Sequence, residues 1–311
     1  MINFRYHLVS LVAVLLALTV GIVIGTVAMN GPALSGLRTR VADLSAEKAA
    51  GQREVRTLRQ RVARDNEFAA TVAPKVVAAR LTGRTVVLVA AEDAGSAEAD
   101  AVQRVLQSAG ATVTGRVQLT PGYADPRRAA ELKAYATGDS LPAGLQLPES
   151  DDASVLGAAL LSYLLVGQDG GVDRPGPKDV TQVLTGLASL QLLHLDGRDV
   201  APADCAVLVT AGQFAGGAAA DRLRAVTDLA NALDRGGKGT VVVGDLASAG
   251  HNGAVGRIRA DQSLAASVST VDSVDTAAGQ IATVYAVAEQ AAGRSGQYGV
   301  AANADATFPA A

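Results

Sequence analysis

Three regimes of apolar and polar positions succeed one another along the chain. Residues 8 to 29, LVSLVAVLLALTVGIVIGTVAM, run without a single charge. At about 1.5 Å per residue such a helix covers roughly 33 Å, enough for a hydrocarbon core of about 30 Å. The run predicts one membrane span, from Leu8 to Met29, with residues 1–30 as the anchor. A cleaved secretory signal is the rival reading, because Arg5 gives a short positive start and Thr26-Val27-Ala28 ends in small residues. Signal cores, however, run only about 7 to 15 apolar residues, so an uncleaved signal anchor is expected. Gly21 and Gly25 form a G-x-x-x-G pair on one helix face, a spacing that lets two helices approach closely, although Gly is common in membrane helices anyway.

Gly31-Pro32 is expected to break the helix. Beyond it, residues 31–72 read as a stalk, with apolar residues at Leu37, Val41, Leu44, Val55, Leu58 and Val62. Spacings of four and three make a heptad seam. Lys48 and Gly51 take the two middle seam positions, so the register is strong at both ends and weak at the centre. Charge covers most of the remaining circumference, including Arg53, Glu54, Arg59 and Arg61. That favours a membrane-proximal coiled coil, and hence a homo-oligomer, over a helix packed on its own domain. A continuous stalk would reach roughly 50 Å.

From Gly83 the pattern becomes α/β, and residues 73–299 are assigned to that domain, with 300–311 as a disordered tail. Strands are expected at Thr85–Ala91, Ala111–Leu119, Leu190–Leu195, Cys205–Thr210, Thr240–Gly244 and Ser267–Val271. Helices are expected at Ser96–Ala109 with Ser96 as its cap, Pro126–Ala136, Asp152–Val166, Lys178–Leu190, Ala218–Arg235 and Ala277–Ala292. This alternation implies a mainly parallel sheet covered on both faces, a Rossmann-like three-layer sandwich. Residues 157–166 are apolar on many sides but too short for a second span.

Composition adds limits. The 311 residues carry a net charge of −3, so no charge excess points to nucleic acid. Aromatics are 3% and Trp is absent, whereas Gly numbers 33. The single cysteine, Cys205, excludes an intramolecular disulfide. Arg5 precedes the span while Arg38, Arg40 and Lys48 follow it, so charge counting mildly favours a cytoplasmic body, whereas the signal-like start favours an exported one, and the orientation stays open.

Candidate chemistry is sparse. Ligands of doubly wound sheets bind beyond the carboxyl ends of strands, here Glu92-Asp93, Gly212 with Gly216-Gly217, and Gly244-Asp245. Gly212 to Gly217 lacks both the G-x-G-x-x-G spacing and a P-loop Lys-Ser/Thr, so an ordinary strand-to-helix turn is expected. Asp245 and His251 are read as loop residues, with no nucleophile at a diagnostic spacing. Copper favours thiolate, thioether and imidazole. Cys205, Met1, Met29, His7, His194 and His251 do not cluster in sequence, and Cys205 and His194 are read as buried strand residues. No catalytic residue, cofactor or tight metal site is therefore expected.

The opening Met1-Ile2-Asn3-Phe4-Arg5-Tyr6-His7-Leu8-Val9-Ser10-Leu11, with Val20-Gly21-Ile22-Val23-Ile24-Gly25, resembles the start of the MctB-type actinobacterial proteins. Leu141-Pro142-Ala143-Gly144, Ser269-Thr270-Val271-Asp272-Ser273-Val274-Asp275 and Gly296-Gln297-Tyr298-Gly299 extend the resemblance over essentially the whole chain. The resemblance implies a cell-envelope protein with its body outside the cytoplasm, acting in copper efflux and tolerance, described for mycobacteria as an outer-membrane pore. Copper would be the transported ion rather than a bound cofactor. Related corynebacterial proteins are associated with cell separation, which implies instead a scaffold that meets cell-envelope protein partners. Residue physics modifies the pore picture. A membrane barrel needs many alternating segments and aromatic girdles, so the sequence favours a plasma-membrane helix. One helix has no lumen, so conduction would require an oligomer. A third class, an exported nucleotide binder using the Gly212 turn, remains as an enzyme-type alternative.

Overall fold

The computed structural model of the protein describes residues 4–138, 141–142, 144–167, 175–197 and 200–310, and for residues 27–35 the backbone alone. It divides into two compact units, Met1–Asp65 and Asn66–Ala311. Helix α1 (Phe4–Val77) runs through both. Its segment Phe4–Thr26 is long and apolar enough to cross a membrane. The expected break at Gly31-Pro32 is absent, and the backbone stays helical. A proline inside a helix removes one i to i−4 hydrogen bond and can be accommodated as a local defect without ending the helix.

The second unit then builds β1 (Thr85–Ala90), α2 (Ser96–Ser108), β2 (Thr112–Leu119), α3 (Ala129–Ala136), α4 (Ala153–Leu165), α5 (Pro177–Ser189), β3 (Leu193–Leu195) and β4 (Cys205–Val209). It continues with α6 (Ala219–Gly236), β5 (Thr240–Val243), α7 (Ala254–Ala260), α8 (Gln262–Ala265), β6 (Ser269–Val271), α9 (Ala277–Gln290) and β7 (Gln297–Tyr298). The strands make one mixed sheet in the order β3-β2-β1-β4-β5-β6-β7, parallel except for β3. Of the apolar runs, β4 and β5 are buried along their whole length, as parallel strands between helices must be.

Successive side chains point to opposite faces, and each face has its own core. Val87, Val89, Ala206, Leu208 and Val242 pack with Leu160, Leu161 and Leu164 of α4, Leu184 of α5 and Leu229 and Leu233 of α6. Val86, Leu88, Val207, Val209, Val241 and Val243 pack with Val102 and Leu106 of α2 and Val284 and Val287 of α9. Ala73 and Val77 from the end of α1, with Leu81, belong to this second core. Asn66 Oδ1 accepts the Ala277 N–H at 2.7 Å, satisfying one of the amides that every helix start leaves unpaired. Tyr285 of α9 donates its hydroxyl to the Val76 carbonyl at 3.3 Å and lies under the Arg80 guanidinium, 4.7 Å from the ring centre.

Several local expectations are corrected. Helix α2 starts after Gly95, so Ser96 lies inside it and provides no cap. It ends where Gly110, at φ +88°, lets the Ala111 and Gly110 amides reach the Leu106 and Gln107 carbonyls. The run Leu190–Leu195 is not a buried parallel strand but a short antiparallel edge, because Leu190 closes α5 and only three residues pair with β2. His194 therefore faces solvent rather than the core.

Residues 300–310, expected as a disordered tail, are also placed. The Arg259 guanidinium and Asp272 carboxylate are 2.7 Å apart and 2% and 0% exposed. Arg259 also donates to Thr270, to Asn303 Oδ1 and to the Tyr298 carbonyl, while Asp272 accepts the Val300 and Ala301 amides. Gly299 N–H then reaches the Ala306 carbonyl at 3.0 Å, and Phe308 packs 4.9 Å from Tyr285.

Removing one member of such a pair leaves an uncompensated buried charge. Asp272→Leu should therefore cost about 3–5 kcal/mol in urea unfolding of the detergent-solubilised chain. The apolar double variant Arg259→Met with Asp272→Leu should recover the part of that loss due to the unpaired charge but not all of it, because the Tyr298 carbonyl and the Val300 and Ala301 amides lose their partners. A double variant no more stable than Asp272→Leu alone would refute this account.

Candidate functional site

Two regions bear the residues singled out from sequence. The first is α1. Leu8 lies in the apolar segment with its side chain exposed, and at Gly21 and Gly25 a Cβ would meet nothing within 4 Å. Met29's side chain lies outside the described residues. Leu37, Val41, Leu44, Val55, Leu58 and Val62 are all exposed, each between 46% and 64%, along a helix that continues unbroken past Lys48 and Gly51. A seam of this kind on one helix is an unsatisfied apolar surface in water.

The second region is the crevice at the carboxyl ends of β1 and β4, where the strand order reverses. Side chains lace it shut. The Thr210 hydroxyl donates to both Asp93 carboxylate oxygens, at 2.9 and 3.2 Å. Arg222 of α6 meets Glu92 at 3.0 Å and donates to the Ala215 carbonyl. Gly212, at φ +59°, turns its N–H onto Asp245 Oδ1 at 2.8 Å, and the same oxygen accepts the Ser248 N–H at 2.9 Å. The amide that would have opened a phosphate cradle is thus held by a carboxylate, with Glu92 and Asp93 beside it. An anion would meet that negative field rather than free N–H donors.

Burial, opposed mainly by the Thr210 hydrogen bond, pushes the Asp93 carboxyl up to about 6. His251 lies exposed beyond the turn that Asp245 caps. A separate cleft of about 490 Å³ opens between α4 and α6, with Tyr163, Asp228 and Arg235 among its lining. Sequence reading missed it, since its polar residues are scattered and follow no motif.

The metal donors stay apart among the described residues. Among the described residues no three His, Cys, Asp or Glu side chains gather where they could hold an ion. Cys205 is fully buried in β4, and burial pushes its thiol up to about 11. His7 is exposed on α1, and His194 Nε2 stands 3.8 Å from Asp196 at the β3 edge.

Asp93 gives the crevice a pH signature. An unfolded Asp titrates near 3.8 and the folded one near 6. Across that window the folded chain holds a proton that the unfolded chain releases, so stability falls as pH rises through about 6. Asp93→Asn should remove this slope. It should be roughly 1–3 kcal/mol more stable than the parent near pH 7.5, and no more stable near pH 4, in unfolding midpoints taken across pH. Parallel curves for the two proteins would contradict the assignment.

Comparison with known proteins covers both regions at once. A family profile described as "Copper transport outer membrane protein, MctB" matches residues 1–309. The copper transporters MctB of Mycobacterium tuberculosis and Mycobacterium bovis are 32% identical over 305 residues, 96% of this chain and 96% of each relative. That of Mycobacterium leprae is 32% identical over 308 residues with the same coverage. A likeness that runs from the apolar start of α1 to the residues pinned by Arg259 and Asp272 embraces the long helix and the sheet together, and by it this chain belongs to the MctB family.

Proposed function

We propose that this chain is an envelope protein that promotes copper efflux and tolerance, held by one plasma-membrane helix with its α/β domain outside the cytoplasm. The observation that carries this reading is the match along 96% of the chain to relatives named copper transporters. The family description as an outer-membrane protein and the signal-like start support this orientation. The apolar helix favours the plasma membrane, because outer-membrane spans are β-barrels and the sheet here is open and covered by helices on both faces. We read the sheet order, with its reversal beside β1, as Rossmann-like, and residues 31–72 as a coiled-coil stalk that makes the protein a homo-oligomer.

Copper is cargo in this reading, and no catalytic step is assigned. The path of the ion does not run along this span. The Thr19 hydroxyl donates to the Leu15 and Leu16 carbonyls and the Thr26 hydroxyl to those of Ile22 and Val23, at 2.9–3.0 Å. Polar side chains that bond their own helix offer little to a passing hydrated ion. The protein therefore acts on copper through what its domain and stalk assemble with, cell-envelope proteins included.

Total cell-associated copper, with zinc and dye uptake as controls, tests the role in a deletion strain under copper load. A selective copper excess that the gene restores is expected. Unchanged copper, or a rise shared by zinc and dye, would overturn the proposal and favour a scaffold for cell separation. The triple variant Ser10→Ala, Thr19→Val, Thr26→Val should complement as fully as the parent, and a loss of complementation would place the ion path in the span.

A further inference from the structure

The exposed seam of α1 specifies its own partner. With Leu37 at heptad position d, position a falls on Val41, Lys48, Val55 and Val62, and d on Leu44, Gly51 and Leu58. Because α1 is unbroken here and these apolar side chains are 46–64% exposed, the seam is a surface awaiting a second helix. Two copies anchored at their N-termini in one membrane can only run parallel. In a parallel pair each g residue faces the e residue of the following heptad on the other chain.

Those flanking positions are chemically matched. Glu54 at g meets Arg59 at e of the second copy, and by symmetry the pair forms twice. The preceding g residue, Glu47, meets Gln52, and Arg40 meets Ser45, so these flanking pairs bring no like charges together. Lys48 at a would bring two ammonium groups to the seam, each next to Glu47 of the other chain. A single lysine at an a position costs stability and selects register and a low oligomer number, since a wider core would bury more of these charges together.

We propose that the occupant of this seam is a second copy of the chain, forming a parallel, in-register dimer in which Lys48 limits the assembly to two and Glu54 with Arg59 sets its register. The inference deepens the homo-oligomer reading above and is independent of copper. It has a geometric corollary. Carried back through the continuous helix at the same repeat, the seam passes Val20 and Val23 and leaves Gly21 and Gly25 at positions b and f, on the far side. A dimer of single spans also encloses no lumen.

The test uses the full chain in nanodiscs or mild detergent. Light scattering should give a dimer. Oxidation should link Gly51→Cys into a covalent dimer while Ala50→Cys, one residue off the seam, stays uncoupled; Cys205 is buried and does not interfere. Glu54→Arg and Arg59→Glu should each weaken self-association. Mixed in differently tagged copies, the two variants should instead pair with each other about threefold to tenfold above the random ratio, because both mixed pairs are then attractive. Lys48→Leu should tighten association and produce species larger than two, whereas Gly21→Leu should leave the dimer unchanged. A monomer, a parental trimer or tetramer, linkage at Ala50→Cys equal to that at Gly51→Cys, random pairing of the charge variants, or a seam linked only to another protein would each overturn the proposal. A dimer in a strain whose copper is unaffected would leave this inference standing and remove the copper reading; a copper phenotype from a larger oligomer would do the reverse.

Discussion

The burial of Ala73, Val77 and Leu81 in one of the two cores joins the end of α1 to the α/β domain. These residues are not an appendage's last turn resting on a surface. They pack with the same strands that α2 and α9 cover, and Asn66 supplies an acceptor to the first turn of α9. Apolar contact of this kind is additive and strong, about 2 kcal/mol for a fully buried Leu or Val, whereas the exposed hydrogen bond of Tyr285 contributes far less. The helix cannot leave the domain without opening that core.

The domain's periphery relies on a different interaction. Strand β7 is two residues long and could not persist on its own ladder bonds. It is held because a fully buried guanidinium and carboxylate take up both the strand's carbonyl and the amides that follow it. Charge in the interior is costly unless every donor and acceptor is used, and here the hydrogen bonds to Thr270, Asn303, Tyr298, Val300 and Ala301 fill that requirement.

What could be read in advance divides along the same line. Buried apolar runs such as Thr85–Ala90 and Cys205–Val209, and amphipathic helices such as Ala219–Gly236, follow from local pattern, and their order is enough for a mostly parallel sheet. Misreadings arise where distant partners decide. Gln297-Tyr298 has no strand signal without Arg259, which is far away in sequence and reaches it only through the folded interior. Leu193–Leu195 has the composition of a core strand, but its place at the sheet edge leaves His194 wet. The crevice is legible as a location, because Glu92-Asp93, Gly212 and Asp245 follow strands. Its closure is not, since the Thr210 to Asp93 and Gly212 to Asp245 bonds depend on two strands being neighbours.

The placement of Cys205 has a consequence for durability. A thiol is attacked by oxidants and captured by soft metals through its thiolate, and both routes require access. Cys205 sits in the central strand β4 with no exposed surface and with its proton held tightly. Copper in excess could cycle through its redox states against this domain without reaching a sulfur to oxidise. The chain's sole thiol is thus kept chemically silent, and the domain is suited to long service in surroundings where a surface cysteine would be a point of failure.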